Sequence, residues 1–229
     1  DGAYLTHSQV LVKVPSQEMV EQFLPPYNRG ELQLHPDNPI TIAPQVNEDW
    51  LIEIRKQSDD AMRRAKTIIP DVYADFHRIF GRGDSPFFEE YMMEDAEVAL
   101  LGQGTIAMPV KVAIRKLRAE GQKVGLIRLK WLRPFPTTEL QAALSNVKAV
   151  GVIDRDYSFG SPFHAGVLAT ELRSALYSQE KRPQVVSFIA GLGGRDVTAE
   201  NVIEMSDITR QVASSGKSDT ETHWIGVRG

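Results

Sequence analysis

Residues 97–160 alternate short apolar runs with glycine-bearing or polar turns and with amphipathic stretches. Runs that are apolar at nearly every position, such as AEVALL and KAVGVI, are typical of strands buried on both faces of a sheet. Strands that alternate with helices through short connections favour right-handed crossovers and a doubly wound, mostly parallel α/β sheet. In such a sheet the turns that follow the strands gather at one edge, where ligands and partner chains bind.

The same periodicity continues to the end of the chain and predicts a sheet of about five strands. The predicted strands lie at 97–102, 124–130, 148–153 and 185–190, with an additional edge strand near 224–227. The predicted helices lie at 105–120, 137–145, 162–178 and 199–212.

The amino-terminal third has a different pattern. Residues 3–14 carry β-branched residues in loose alternation and predict a strand or a strand pair. Residues 15–47 hold six prolines and little periodicity, so we expect an extended connector that lies on another surface. Apolar residues at three- and four-residue steps predict helices at 48–68 and 71–80, separated by Pro70.

These patterns predict three parts, with a boundary in the glycine- and proline-rich stretch Gly81–Pro86. We expect residues 1–47 to be the end of a preceding cofactor domain plus the connector. Residues 48–83 are expected to be linker helices, and residues 84–229 an α/β domain. Because the first residue is Asp1 and the opening segment reads as the middle of a strand, we expect the chain to be the carboxyl-terminal piece of a longer polypeptide.

Charge and composition exclude several function classes. The chain has 26 basic and 30 acidic residues, a net charge of −4, which argues against nucleic acid as a partner. No apolar stretch approaches the roughly 18 residues that cross a bilayer, so we expect no membrane partner. The absence of cysteine excludes disulfides and thiolate-ligated metal centres on this chain and fits a cytoplasmic location.

One turn carries a motif of dinucleotide-binding proteins. Gly102, Gly104 and Ala107 match G-x-G-x-x-G/A between a predicted strand and a predicted helix. A nicotinamide site also needs an acidic residue at the end of the next strand, but that strand ends in Lys130, Trp131 and Arg133. The pattern therefore favours a tight turn that needs glycine, and a free-standing nicotinamide-dependent dehydrogenase is the weaker alternative.

Charged turns follow the other strands of the predicted sheet. The stretch Arg133–Pro136 indicates a rigid turn, Asp154–Asp156 ends the third strand, and Gly191–Asp196 is glycine-dense. We expect these turns to form a subunit interface or an anion site, and we predict no catalytic residue and no metal ligand on this chain. The candidate residues are Gly102, Gly104, Arg133, Asp154, Arg155, Asp156, Arg195 and Asp196.

Several of these segments, in their order, resemble the alpha chains of 2-oxoacid:ferredoxin oxidoreductases, above all those acting on pyruvate. The opening DGAYLTH resembles the end of their thiamine-diphosphate-binding domain. The resemblance continues through the stretches DNP at 37–39, LRPFP at 132–136, DRDYSFG at 154–160 and GLGGRDV at 191–197. Together these segments span nearly the whole chain.

The resemblance implies a fold, a reaction and partners. The fold is a transketolase carboxyl-terminal-like domain from about residue 90 onward. The reaction is the thiamine-diphosphate-dependent oxidative decarboxylation of a 2-oxoacid, with electrons passed through [4Fe-4S] clusters to ferredoxin and with coenzyme A as a possible co-substrate. The implied partners are subunits of the beta, gamma and delta type. Thiamine diphosphate, its Mg²⁺ and the clusters are expected elsewhere in that complex, and none on this portion alone.

The chain also departs from the pattern of the pyruvate enzymes. It has Ala3 and Thr6 in the opening motif, and Ser161–His164 stands where a second glycine pair is expected. Oxalate or another 2-oxoacid is therefore an alternative substrate. Two roles remain open for this portion: a wall of the active site together with a subunit interface, or a non-catalytic module for subunit assembly.

Overall fold

The computed structural model describes residues 6, 9, 11–30, 32–83, 85–217 and 221–228. The chain divides into two compact units, one of residues 10–86 and one of residues 87–229 together with 1–9. The opening motif DGAYLTH lies outside the described residues except for Thr6. Its assignment to the end of a cofactor domain, and with it the predicted three-part division, stays a prediction.

The larger unit is built around one six-stranded sheet. Its strands are β1 (Phe88–Tyr91), β2 (Val98–Gln103), β3 (Val124–Leu129), β4 (Ala149–Asp154), β5 (Gln184–Ile189) and β6 (Thr222–Trp224). The strands lie in the order β1-β3-β2-β4-β5-β6. All neighbouring pairs are parallel except β1 and β3, which are antiparallel. The predicted doubly wound, mostly parallel α/β sheet is therefore confirmed.

Four helices cover the two faces of this sheet. They are α3 (Ala107–Ala119), α4 (Thr137–Ala143), α5 (Val167–Leu176) and α6 (Ala199–Ser215). Helices α3 and α6 pack on each other and on one face, whereas α5 packs on β4 and β5 and contacts α4 on the other face. Each predicted strand and helix is present, with ends that differ by a few residues. The largest difference is at α5, because a single 3₁₀ turn, Pro162–His164, precedes it.

The core lies between the sheet and the helices. Every residue of β4 is buried, and β2 is buried except at Gln103. Leu100, Ile114 and Phe188 are among the largest fully buried side chains. Burial on both faces explains why these strands are apolar at nearly every position.

The edge strand β1 was not predicted from the sequence. It is four residues long and contains Glu89 and Glu90, which break the apolar pattern. Glu89 forms ion pairs with Lys111 of α3 and Arg128 of β3, so its charge is balanced at the partly buried edge. A strand whose charges are neutralised by neighbouring elements cannot be recognised from hydrophobic periodicity alone.

The smaller unit contains a short helix, α1 (Gln17–Phe23), and a long helix, α2 (Leu51–Phe80). The predicted break at Pro70 is wrong, because α2 continues through it. Proline removes one backbone hydrogen bond, but contacts on both sides hold the helix: Ile69 is buried, and the rings of Phe76 and Phe80 lie 5.4 and 5.5 Å from that of Phe23. Gly81 in a left-handed conformation ends the helix.

The strand predicted at 3–14 is not supported where it can be assessed. Residues 11–14 form no regular structure, and residues 3–5, 7, 8 and 10 lie outside the described residues. Leu11, Val12 and Val14 are exposed, so the alternation that suggested a strand is not matched by burial on one face. Within the described ranges, no helix is both long and apolar enough to cross a membrane.

The close packing around Gly151 in β4 provides a test of the fold. A Cβ atom there would lie 2.5 Å from Thr209 Oγ1 and 2.9 Å from both Leu100 Cδ2 and Phe188 Cε2. We expect Gly151→Ala to lower the free energy of unfolding by about 1–3 kcal/mol, because the neighbours on both faces must move. Urea denaturation measures this loss. Ser174→Ala on the exposed side of α5 is the control and should change stability by less than about 0.5 kcal/mol. Equal midpoints for the two variants would contradict the packing.

Candidate functional site

The order of the parallel strands places a crevice between the carboxyl ends of β2 and β4. The chain runs from β2 outward to β3 and then returns past β2 to β4, so the connections leave these two neighbouring strands in opposite directions. Ligands of doubly wound sheets bind at such a point. A cavity of about 270 Å³ lies here, lined by Gln103, Gly104, Leu132, Ile153, Asp154, Arg155, Asp156, Val167 and Leu168.

The turn after β2 depends on its two glycines. Gly104 has φ 67° and begins a single 3₁₀ turn that leads into α3, a conformation that disfavours side chains. A Cβ atom on Gly102 would lie 2.6 Å from Ile106 Cγ2. Gly104 lines the cavity, whereas Gly102 lies inside β2. Both glycines therefore satisfy local geometry at this turn.

Asp154 joins the end of β4 to the start of α5. Its side chain is buried, with 3% of the residue exposed. One carboxylate oxygen accepts a hydrogen bond from the Leu168 N–H at 2.9 Å, and the other accepts one from the Ala169 N–H at 3.0 Å. Asp156 accepts a third bond, from the Val167 N–H at 3.0 Å. The two carboxyl groups thus satisfy N–H groups that a helix leaves unpaired in its first turn.

Gly166 makes this approach possible. A Cβ atom on Gly166 would lie 2.3 Å from both Cβ and Cγ of Asp154. No larger residue fits between the carboxyl group and the helix in this arrangement. Sequence reasoning did not single out Gly166, because one glycine before a helix has several ordinary explanations.

Burial raises the pKa of Asp154 to about 7. The two backbone N–H donors of Ala169 and Leu168 oppose this rise, and the neighbouring Asp156 carboxyl adds to it. Asp154 therefore changes its protonation near neutral pH, at the wall of the cavity.

Arg155 connects the ends of three strands. One guanidinium nitrogen donates to Thr105 Oγ1 after β2, and another donates to the carbonyl oxygen of Gly191 after β5, each at 3.2 Å. Gly191 has φ 75° and lies close to the Arg155 side chain. The arginine therefore holds the turns on both sides of β4 at the carboxyl edge of the sheet.

Arg133 lies beside the cavity and pairs with α5. Its guanidinium contacts a carboxylate oxygen of Glu171 at 2.6 Å and donates to the Leu132 carbonyl at 2.8 Å. The peptide bond between Arg133 and Pro134 is cis. Leu132 and Glu171 were not predicted as part of the site, since neither belongs to a recognisable motif.

Arg195 and Asp196 lie farther along the same edge. Arg195 donates to the carbonyl oxygen of Gly226 at 2.5 Å and lines a second cavity of about 240 Å³ with Trp224. Asp196 is exposed on the same turn. The structure thus brings Gly104, Asp154, Arg155 and Asp156 together at the first cavity, places Arg133 beside it, and places Arg195 at the second.

Aromatic side chains adjoin the second cavity. The Tyr157 ring lies 5.0 Å from that of Trp224 and 4.7 Å from that of Phe159, which is 90% exposed. Exposed aromatic side chains are enriched at protein interfaces. Their grouping could not be recognised from the sequence, because Trp224 is distant along the chain.

The described residues offer few ligands for a metal ion. Across residues 6, 9, 11–30, 32–83, 85–217 and 221–228, no group of three or more His, Asp or Glu side chains is placed to hold one. Asp154 and Asp156 already accept hydrogen bonds from α5. This edge therefore does not fit the Mg²⁺ and diphosphate of thiamine diphosphate.

Comparison with known proteins identifies the family. Residues 96–202 match the family model described as "Pyruvate:ferredoxin oxidoreductase core domain II". Residues 1–74 match the model described as "Pyruvate flavodoxin/ferredoxin oxidoreductase, thiamine diP-bdg". The second match continues through most of α2, beyond the predicted end of the cofactor domain at residue 47.

Two relatives from Pyrococcus abyssi match nearly the whole chain. Ketoisovalerate oxidoreductase subunit VorA is 36% identical over 224 residues, 98% of this chain and 56% of that protein. Pyruvate synthase subunit PorA is 35% identical over 228 residues, 100% of this chain and 57% of that protein. The chain spans about half the length of these relatives.

A solved structure of a split-gene transketolase also aligns, with a TM-score of 0.45 and 17% identity over 58% of this chain and 45% of the other. The family assignment rests on the sequence matches. The chain belongs to the 2-oxoacid:ferredoxin oxidoreductase family, in which it corresponds to the alpha subunit.

The raised pKa of Asp154 predicts an unusual pH dependence of stability. Between about pH 4 and about pH 7 the folded chain binds more protons than the unfolded chain, because the pKa of Asp154 is about 7 when folded. The stability that Asp154 contributes is therefore complete below pH 4 and is lost as the pH rises through 7. Asp154→Asn cannot titrate, so its cost relative to the parent chain should shrink by about 1–4 kcal/mol from pH 4 to pH 8.

Asp95→Asn is the control for this measurement. The hydrogen bond from Arg118 lowers the pKa of Asp95, so its contribution is lost as the pH falls, and the cost of this variant should shrink in the opposite direction. Chemical denaturation at a series of pH values measures both slopes. A cost of Asp154→Asn that is independent of pH would contradict a protonation change at the cavity.

Proposed function

We propose that the chain is part of the alpha subunit of a thiamine-diphosphate-dependent 2-oxoacid:ferredoxin oxidoreductase. In the assembled enzyme, a 2-oxoacid is oxidatively decarboxylated and the electrons pass to ferredoxin. The support is the 35–36% identity to VorA and PorA over nearly the whole chain. The observation that gives this portion a role is the gathering of charged turns around a cavity at the carboxyl edge.

The carboxyl edge acts as a wall and an interface in this proposal. Asp154, through α5, and Arg155, through the turns after β2 and β5, fix the shape of the edge. Leu132 and Val167 give the cavity apolar walls that exclude water, and the Arg133 guanidinium supplies a positive charge beside it. A preformed surface of this kind loses little conformational freedom when another subunit docks.

Thiamine diphosphate supplies the means to stabilise the carbanion left when the 2-oxoacid loses carbon dioxide. We propose that the cofactor and its Mg²⁺ are held by the domain to which residues 1–74 belong, together with other subunits, because the carboxyl edge lacks a fitting donor set. Iron–sulfur clusters would lie in other subunits, since this chain has no cysteine. The same lack of cysteine fits a cytoplasmic complex.

We propose pyruvate or a branched 2-oxoacid as the substrate class. The relatives named for pyruvate and for ketoisovalerate are nearly equally similar to this chain, so identity does not choose between them. Oxalate, coenzyme A as the acyl acceptor, and subunits of the beta, gamma and delta type stay predictions from the resemblance.

The proposal predicts that the ion pair at Arg133 matters for function although it is on the surface. In the intact complex, we expect Arg133→Gln to lower 2-oxoacid-dependent ferredoxin reduction about tenfold, since it removes a charge beside the cavity. Lys148→Gln is the matched control: Lys148 also forms a surface ion pair, with Glu97, but precedes β4 at the opposite edge of the sheet. This control should keep full turnover.

Turnover and assembly must be measured on the same preparations, with assembly followed by native mass spectrometry. Lost turnover in an intact complex favours an active-site wall, whereas dissociation of the Arg133 variant favours a module for subunit assembly. If Arg133→Gln and Lys148→Gln both keep turnover and assembly, the proposed role of the carboxyl edge is wrong.

A further inference from the structure

Helix α2 has one apolar face along its whole length. Its 30 residues extend over about 45 Å. Apolar residues recur at steps of three, four or seven, so they lie on one side of the helix. The residues of this face, from the amino to the carboxyl end, are Leu51, Ile54, Ala61, Met62, Ala65, Ile68, Ile69, Val72, Phe76 and Phe80.

Only the carboxyl-terminal end of this face is covered by α1. The rings of Phe76 and Phe80 pack against Phe23 of that helix. Toward the amino end the face is open: Ile54 is 40% exposed, Ile68 56% and Val72 45%. Over about 33 Å, from residue 51 to residue 72, the helix therefore presents apolar side chains to solvent.

The opposite face of α2 does not need a partner. Lys56 pairs with Asp60, and Arg63 pairs with Asp59 at 2.8 Å, each within the helix and on the polar side. Charges that are already paired leave the apolar face as the part of the helix that gains most from burial.

The smaller unit as a whole lacks a core of its own. Among its described residues, Ile69 alone is buried. Large apolar side chains of the connector are exposed as well, for example Leu34 and Ile42. A segment of this size cannot be stable with so little buried area, and large exposed apolar surfaces mark interaction sites.

The family matches indicate what covers this face. The match to the thiamine-diphosphate-binding family model ends at residue 74. All the open positions of the face, 51 to 72, fall inside that match, and the covered Phe76 and Phe80 fall outside it. The relatives are also longer than this chain, which spans 56% of VorA. The open part of the face thus coincides with the part of α2 that belongs to a domain matched here only over 74 residues.

We infer that the face formed by Leu51, Ile54, Met62, Ile68 and Val72 docks against the remainder of a thiamine-diphosphate-binding domain, on the same polypeptide or on another. The inference rests on the proposed function and names the partner of the smaller unit. Helix α2 then links the cofactor domain to the unit that carries the carboxyl edge. The contact is apolar, so it depends little on salt.

The absence of cysteine allows a direct test by labelling. Single-cysteine variants Ile54→Cys and Ile68→Cys report on the open face, and Lys56→Cys and Thr67→Cys on the polar face are matched controls. All four positions are exposed, so the substitutions should leave the fold intact. The rate of modification by a water-soluble maleimide is measured by mass spectrometry of peptides from this chain.

In the chain alone, all four cysteines should react at similar rates, independent of protein concentration. In the assembled complex purified from the native host, the rates at 54 and 68 should fall at least tenfold, and those at 56 and 67 should not. Equal rates at all four positions in the complex would overturn the inference. Protection at 54 and 68 that grows with concentration in the chain alone would indicate a second copy and would also overturn it.

The identity of the partner is tested with a benzophenone attached to the cysteine at 68. Cross-links in the complex should reach a thiamine-diphosphate-binding domain, and cross-links to an iron–sulfur subunit or to a second copy of this chain would contradict the inference. The readout is independent of turnover. A complex without 2-oxoacid:ferredoxin activity would overturn the proposed function alone, whereas unprotected cysteines in an active complex would overturn this inference alone.

Discussion

The carboxyl edge of the sheet depends on one buried carboxyl group. Asp154 ends the central strand β4 and accepts hydrogen bonds from the Leu168 and Ala169 N–H groups at the start of α5. Because α5 carries Glu171, which pairs with Arg133, this contact also sets where that arginine lies. The cost of burying the carboxyl group is offset by these donors and by its raised pKa.

Most of the fold could be predicted, because the larger unit follows simple patterns. The four buried parallel strands are continuous apolar runs, and α3 to α6 have helical periodicity. The strand β1 escaped prediction because Glu89 is paired with Lys111 across the edge. The continuity of α2 through Pro70 also escaped, because a local rule for proline cannot include the contacts of Phe76 and Phe80 with Phe23.

The site could be predicted only in outline. The charged turns stand out because parallel strands bring their carboxyl ends to one edge, which explains why Asp154, Arg155 and Asp156 were recognisable. Their partners were not, since Gly166 and Glu171 lie in unremarkable sequence and are placed by the packing of α5. The open face of α2 shows the reverse case. Its pattern is clear in the sequence, but the structure was needed to show that it is exposed.

The hydrogen-exchange rates of the Leu168 and Ala169 backbone amides test the central claim most directly. If Asp154 fixes α5 to the end of β4, these two amides should exchange as slowly as those of the buried strand β4, although they lie in the first turn of a helix. Two-dimensional NMR of the chain alone measures these rates. Exchange as fast as in the exposed loop around Phe159 would show that the carboxyl group does not hold the helix, and would contradict the account of a preformed edge.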